Sequence, residues 1–354
     1  MSKKIYIILA ILALFGLLTL LSLSLEWGSY KFLIRQSVFY LIGFVLMILV
    51  AKLTNVGFLK TNKFFIFFLY VLVLILLAGV LIQPHRVQNV KSWFVFLGFS
   101  FQPSELAKLV LVLLLAKYFS KRHIEIWRWR HILISGFYFL LIFLLVVAEP
   151  DLGNALIIAF LWGSIILVAG VRFRQLLILS LVGFLVGFFA WHNLLKPYQK
   201  ERIVSFLHPQ EDILGVRYQA NEAKIAIGEG GLFGVGLGGA IQTKYKFLPQ
   251  AHSDFIFSAF VEHWGVFGAF LLFLVYLALF FELYKKFKSF TKPESNFEKI
   301  FIFGYMAFLF IQILIHIGGN LDLLPITGIT LPFLSYGGSN LLINFLFLGI
   351  IEAM

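Results

Sequence analysis

The chain has 354 residues, of which 61% are hydrophobic and only 13% charged, with a mean hydropathy of +0.95. A soluble domain cannot carry that composition, so the sequence describes an all-α polytopic membrane protein with no separate soluble domain. The formal charge of +12 does not signal nucleic acid, because Lys and Arg fall between apolar runs as membrane topogenesis requires, and the absence of cysteine excludes disulfides, thiolate metal sites and a cysteine nucleophile.

Lys3-Lys4 followed by about 20 apolar residues reads as an uncleaved first span, too long for the core of a signal peptide. Further spans are predicted over 32–53, 63–82, 103–119, 131–148, 152–171, 175–193, 254–281, 299–320 and 337–353, which with 5–25 makes ten. One set of ends and connections carries Lys3, Lys4, Lys52, Lys60, Lys63, Lys117, Lys121, Arg122, Arg128, Arg130, Arg172, Arg174, Lys285, Lys286, Lys288, Lys292 and Lys299. These are 17 of the 29 basic residues, so the positive-inside rule places them and both termini in the cytoplasm. The chemically unusual segments then fall on the outer side of the membrane, including a large extracytoplasmic loop, 194–253, between spans seven and eight.

Gln102-Pro103-Ser104-Glu105 opens the fourth span. Pro103 suits the first helical position, and Glu105 meets the positive end of the helix dipole. Lys108 is spaced to pair with Glu105. The pair is either a neutralised helix start or part of a cavity, since an intramembrane Lys seldom faces lipid. Glu149-Pro150-Asp151-Leu152-Gly153-Asn154 joins two spans, and Asp151 is a good N-cap for the second. Glu149, just inside the membrane edge, is harder to explain by capping.

The 194–253 loop is too long for a connector. Its first half mixes Arg202, Arg217 and Lys224 with Ile203, Phe206, Leu207 and Ile213, a composition that can lie along the headgroups. Gly228 to Gly239 holds seven glycines in twelve residues. Its formal match to a dinucleotide fingerprint is rejected, because no βαβ unit surrounds it. Turn chemistry explains the glycines, with backbone amides near a diphosphate as the alternative.

In LPQAHSDFIFSAFVEHWG, Leu248 to Gly265, Asp254 stands at the mouth of a long apolar helix. Helical counting from Asp254 puts Ser258 and Glu262 on its face, with Glu262 about 12 Å further in. A carboxylate at that depth is a functional candidate. His252 and Asp254 make an incomplete metal pair, so no protein-bound metal is expected. Leu324 to Gly338 is apolar, broken by Pro325 and Pro332, and polar at its end. Such irregular backbone at a membrane edge is tolerated against protein or a water-filled cavity, which makes it a re-entrant wall or else a surface loop.

QPSE with Lys108, EPDLG, the Arg202-to-Gln219 segment, GVGLGG, LPQAHSDFIF and TLPFLSYGGSN stand in an order and spacing that resemble the SEDS family of peptidoglycan glycosyltransferases, which includes FtsW and RodA. GVGLGG, Ala251-His252 and Thr330-Leu331-Pro332-Phe333 lean towards FtsW, and Ile326-Thr327-Gly328 towards RodA. Gln250, Ser253, His263-Trp264 and Asn340 depart from the family pattern, so Gln250 and His263 are not credited with charge chemistry.

The resemblance implies one SEDS-type domain over 1–354 that polymerises lipid II on the outer membrane face by an inverting displacement. It makes Asp254 the base. Glu105, Lys108, Asp151 and Glu262 become electrostatic support, and Arg202, Arg217, Gln219, Lys224, His252, Ser335 and Tyr336 substrate contacts. It also implies a divalent cation, magnesium or manganese, arriving with the substrate diphosphate, and a class B penicillin-binding protein as partner. A lipid II flippase is the rival reading, kept open by Lys108 and Glu262; a noncatalytic scaffold for division or elongation is the third.

Overall fold

The computed structural model describes residues 3–83, 92–96, 99–121, 128–193, 195–208 and 216–354. Arg122 and Ile213 lie outside these residues. In chain order the helices are α1 (Lys3–Trp27), α2 (Lys31–Leu53), α3 (Val56–Thr61), α4 (Lys63–Ile82), α5 (Pro103–Ser120), α6 (Trp129–Ala148), α7 (Leu152–Ala169) and α8 (Phe173–Asn193). They continue as α9 (Pro197–Leu207), α10 (Val216–Gly230), α11 (Ile241–Lys244), α12 (Ile256–Ser289), α13 (Asn296–Asn320) and α14 (Gly338–Ala353). Each expected span is one of these helices. Eight are long and apolar enough to cross a membrane. α5 carries Glu105, Lys108 and Lys117, and α14 is shorter, with 16 residues. The chain is a multi-pass membrane protein.

The all-α bundle carries one small hairpin among the described residues. β1 (Phe94–Phe96) pairs antiparallel with β2 (Phe99–Phe101), Phe94 opposite Phe101. It leads directly into Gln102 and α5, and Ser339 at the start of α14 donates its hydroxyl to the Ser100 carbonyl at 3.1 Å.

The chain termini meet at one end of the bundle, where the Tyr6 hydroxyl donates to Glu352 Oε2 at 2.5 Å. Lys60 pairs with Glu298 at the same end. The starts of α2, α5, α7, α12 and α14 and the ends of α1 and α13 gather at the opposite end. α5 is enclosed along nearly its whole length, which places Glu105 and Lys108 inside protein rather than in lipid.

α12 is not continuous. Gly265 has φ +69° and ψ −175°, which breaks the helix after its first turns. The break frees the Glu262 and His263 carbonyls and the Val266 and Phe267 amides, and backbone from the glycine-rich segment takes them up. Val235 and Gly236 donate to the carbonyls of Glu262 and His263 at 3.0 Å each. Val266 and Phe267 donate to the Gly231 and Leu232 carbonyls at 2.9 and 3.0 Å. A Cβ on Gly265 would stand 2.4 Å from both the Gly234 nitrogen and the Leu232 oxygen. Residues 230–236 of the glycine-rich stretch are therefore a patch on a broken helix, since backbone groups at this depth need partners.

Candidate active site

Residues 321–337 form the irregular wall expected from their prolines, and spans on several sides supply its hydrogen bonds. The Tyr40 hydroxyl donates to the Phe333 carbonyl. Tyr276 donates to the Pro332 carbonyl at 2.6 Å, and Gln36 Nε2 to the Ser335 carbonyl at 3.0 Å. His316 Nδ1 lies 2.7 Å from the Ile329 carbonyl. The wall is thus a fixed part of the bundle.

The wall in turn holds the turn that carries Asp254. Tyr336 donates its amide to the His252 carbonyl at 2.8 Å, and the Ser335 hydroxyl donates to the Ser253 carbonyl at 2.8 Å. From α13, Asn320 Nδ2 donates to the Asp254 carbonyl at 3.0 Å while its Oδ1 accepts from Ser258. Gly328, at φ +72°, passes so close that a Cβ there would lie 3.4 Å from Asp254 Oδ2.

These contacts surround a cavity of about 500 Å³ lined from several separate stretches of chain. Asp254 and His252 contribute from the α12 approach, Glu105 and Gln102 from the start of α5, and Asp151 to Asn154 from the start of α7. Arg202 and Gln199 come from α9, Arg35 and Phe39 from α2, and Ser92 and Trp93 from the approach to β1. Leu324 to Thr330 and Tyr336 to Gly338 close the other side. Gly153 packs against Ile329 and the Thr327 carbonyl, where a Cβ would sit at 3.0–3.1 Å. That contact joins the EPDLG turn to the wall.

The charges lining the cavity differ in what they face. Glu105 accepts from Lys108 Nζ at 2.7 Å and from Asn340 Nδ2 at 2.9 Å, so Lys108, fully buried, is neutralised where it stands. Asp151 caps α7 through the Asn154 amide at 3.1 Å and also accepts from Gln102 Nε2 at 2.8 Å. Burial pushes the Asp151 carboxyl up, against the Asn154 hydrogen bonds and the charge of Lys108. Burial also raises the Asp254 carboxyl, with the Ser253 side chain and the Arg202 charge pulling it back. The His252 imidazole is pushed down to about 4 by burial, so it is neutral at ordinary pH. Its ring stacks on Phe32 at 3.9 Å and stands 5.6 Å from Tyr336, which gives the cavity an aromatic flank.

The structure brings Asp254, Glu105, Asp151, Arg202, His252 and Tyr336 together and sets other expected site residues elsewhere. Arg217 and Lys224 both pair with Asp322, at 2.7 and 2.8 Å, and pin α10 to the end of α13. Gln219 is half-buried on α10 and does not line the cavity. Ser335 works through its neighbours, accepting the Leu331 amide and donating to Ser253. Glu262 is set apart from the cavity. The helix begins at Ile256, so counting from Asp254 fails, and Glu262 accepts the Gln242 amide at 2.8 Å outside the cavity.

Four residues absent from the sequence reading also matter. Asn320 and Gln36 hold the Asp254 turn and the wall, and Arg35 lines the cavity. Glu26 lies 2.9 Å from His263 Nε2 with both side chains fully buried, so His263 faces a carboxyl group. The available signal was a polar residue within an apolar span, which is costly unless it is hydrogen-bonded.

The family model for cell cycle proteins FtsW, RodA and SpoVE matches residues 2–354. The chain is 34% identical over 349 residues to the probable peptidoglycan glycosyltransferase FtsW of Saccharophagus degradans, covering 96% of this chain and 89% of the relative. It is 36% identical over 323 residues to the peptidoglycan glycosyltransferase MrdB of Helicobacter pylori, covering 90% and 82%. A solved structure described as showing coordination of polymerization and crosslinking by a peptidoglycan synthase complex superposes with a TM-score of 0.82. It is 30% identical, and the match covers 99% of this chain and 96% of that one.

Proposed function

The chain belongs to the cell cycle protein family of FtsW, RodA and SpoVE, and from that membership we propose that it is a peptidoglycan glycosyltransferase whose base is Asp254. The substrate is lipid II, a disaccharide-peptide on undecaprenyl diphosphate. The acceptor sugar hydroxyl attacks the anomeric carbon of the growing strand, its proton passes to the Asp254 carboxylate, and the carbon–oxygen bond to the lipid diphosphate breaks with the electron pair leaving on the phosphate. One displacement inverts the anomeric centre, with no sugar–enzyme bond.

The single observation that carries this reading is the convergence of separate stretches of chain on Asp254 in one cavity. A base needs an elevated affinity for protons, which burial of Asp254 supplies. Arg202 is the nearby cation for the departing diphosphate. Glu105 with Lys108, and Asp151 with Gln102, shape the floor, while His252 and Tyr336 offer aromatic surface to the sugars. Among the described residues no three His, Cys, Asp or Glu side chains group to hold a metal. A divalent cation, magnesium or manganese, would come with the substrate diphosphate, the usual place where such an ion is shared between phosphate and carboxylate.

The reaction belongs on the outer face of the cytoplasmic membrane, with both termini inside, as the distribution of basic residues indicates. A class B penicillin-binding protein that crosslinks the product is the partner. The FtsW-like blocks GVGLGG and TLPF favour a division role. A transporter would need a polar path across the bundle, but Lys108 and Glu262 are already engaged by Glu105 and Gln242.

The test is Asp254→Asn in purified protein given lipid II. The variant should fold and bind substrate yet make no glycan. Glycan made at the parent rate would remove Asp254 from the chemistry, and unchanged function in cells would favour a scaffold.

A further inference from the structure

The reaction handles two diphosphates. The growing strand carries one that leaves, and the incoming lipid II carries one that must stay intact. Both are strongly anionic, so a cavity that seats the two substrates together needs cationic contacts at two places.

Among the described residues, two cationic side chains line the cavity, Arg202 on α9 and Arg35 on α2. They stand against opposite ends of the irregular wall. Arg202 donates to the Ile326 carbonyl at 3.4 Å, near the start of the wall and the Asp254 turn. Arg35 belongs to the helix that grips the far end. Its neighbour Gln36 holds the Ser335 carbonyl at 3.0 Å and the Gly337 amide at 3.3 Å. Phe39, one turn on, packs so tightly on Gly338 that a Cβ there would lie 2.4 Å from its ring. The glycine at 338 is what lets α2 approach and present Arg35 to the cavity. The Arg35 side chain is exposed and, among the described residues, faces no carboxylate partner. A guanidinium kept free at a cavity wall is suited to bidentate contact with phosphate oxygens.

We propose that Arg35 is a second diphosphate-binding residue, seating the incoming lipid II by the diphosphate it retains, while Arg202 faces the diphosphate that leaves. The chemistry fixes this assignment. The leaving diphosphate is attached to the reacting carbon and so belongs beside Asp254, where Arg202 acts. The retained diphosphate is a disaccharide away from the attacking hydroxyl and belongs at the other end of the wall.

This inference rests on the glycosyltransferase reading, and binding is measured separately from turnover. The full-length Asp254→Asn protein in detergent is titrated with undecaprenyl diphosphate, with undecaprenyl monophosphate as the control lipid. Two diphosphate lipids should bind per chain. Adding Arg35→Gln should leave one, adding Arg202→Gln should leave one, and Arg35→Lys should retain two. In the parent background, Arg35→Gln should raise the half-saturating lipid II concentration roughly tenfold, the scale of one charge-assisted hydrogen bond, with a smaller effect on the limiting rate. One lipid per chain before any Arg35 change, or two after Arg35→Gln, overturns the proposal. Failure of the parent to polymerise lipid II would refute the glycosyltransferase reading and still leave the stoichiometry readable.

Discussion

Asn320 donates its carboxamide to the Asp254 carbonyl at 3.0 Å, tying the end of α13 to the turn that carries the proposed base. The same amide donates to the His316 carbonyl at 2.8 Å and accepts from the Ser258 amide and hydroxyl at 3.1 and 2.8 Å. Asn320 is 2% exposed, so water cannot replace a lost partner. Asn320→Asp would turn its donor group into an acceptor facing two carbonyls, at about 1–3 kcal/mol for each buried mismatch. A base displaced by about 1 Å loses on the order of 100-fold in rate. The limiting rate of lipid II polymerisation should therefore fall on that scale with little change in half-saturation. Ser258→Ala removes one of the four bonds and should cost less than tenfold. Parent kinetics in Asn320→Asp would mean that the turn is held without it.

The helices were legible because a run of about 20 apolar residues has few other uses. The irregular wall was legible too, since Pro325 and Pro332 interrupt an otherwise apolar segment. Glu262 was misplaced because sequence cannot show that α12 starts at Ile256, two residues past Asp254. The purpose of the glycine-rich stretch was hidden for a related reason: its partner is a helix break at Gly265, inside a run that reads as one helix. Arg217 and Lys224 read as phosphate contacts because their partner, Asp322, stands about a hundred residues further along the chain. The β1–β2 hairpin is an apolar run without alternation, which gives no strand period to read.

That helix break makes a stability prediction. Gly265→Ala must adopt φ near +69° and push its Cβ into backbone at 2.4 Å, and backbone cannot move aside as a side chain end can. The overlap and the left-handed strain together should cost roughly 3 kcal/mol or more. Gly231→Ala is the control. It has φ +52° with nothing within 4 Å of a new Cβ, so only the conformational cost of about 1–2 kcal/mol applies. Chemical denaturation in detergent should rank Gly265→Ala well below Gly231→Ala. Equal stabilities would show that the segment 231–236 yields and is not pinned to α12.

Glu149 gives the pH prediction. It is fully buried after the end of α6, and neither carboxyl oxygen has a hydrogen-bond partner among the described residues. Burial, helped by the charge of Asp151 and partly offset by the nearby Ser92 hydroxyl, pushes its carboxyl up from 4.5 to about 9. The folded protein thus keeps the proton where the unfolded chain releases it. Between about pH 4.5 and 9 the unfolded state binds fewer protons, so stability falls as pH rises, by up to about 1.4 kcal/mol per pH unit from this group. Below the unfolded value the penalty vanishes. Glu149→Gln keeps the shape and stays neutral in both states, so it should flatten this slope and raise stability most at the alkaline end. Denaturation midpoints for parent and variant at pH 5, 6.5 and 8 should converge at the acidic end and spread with pH. A constant gap between the two would mean that Glu149 is ionised in the folded protein and held by a charge partner.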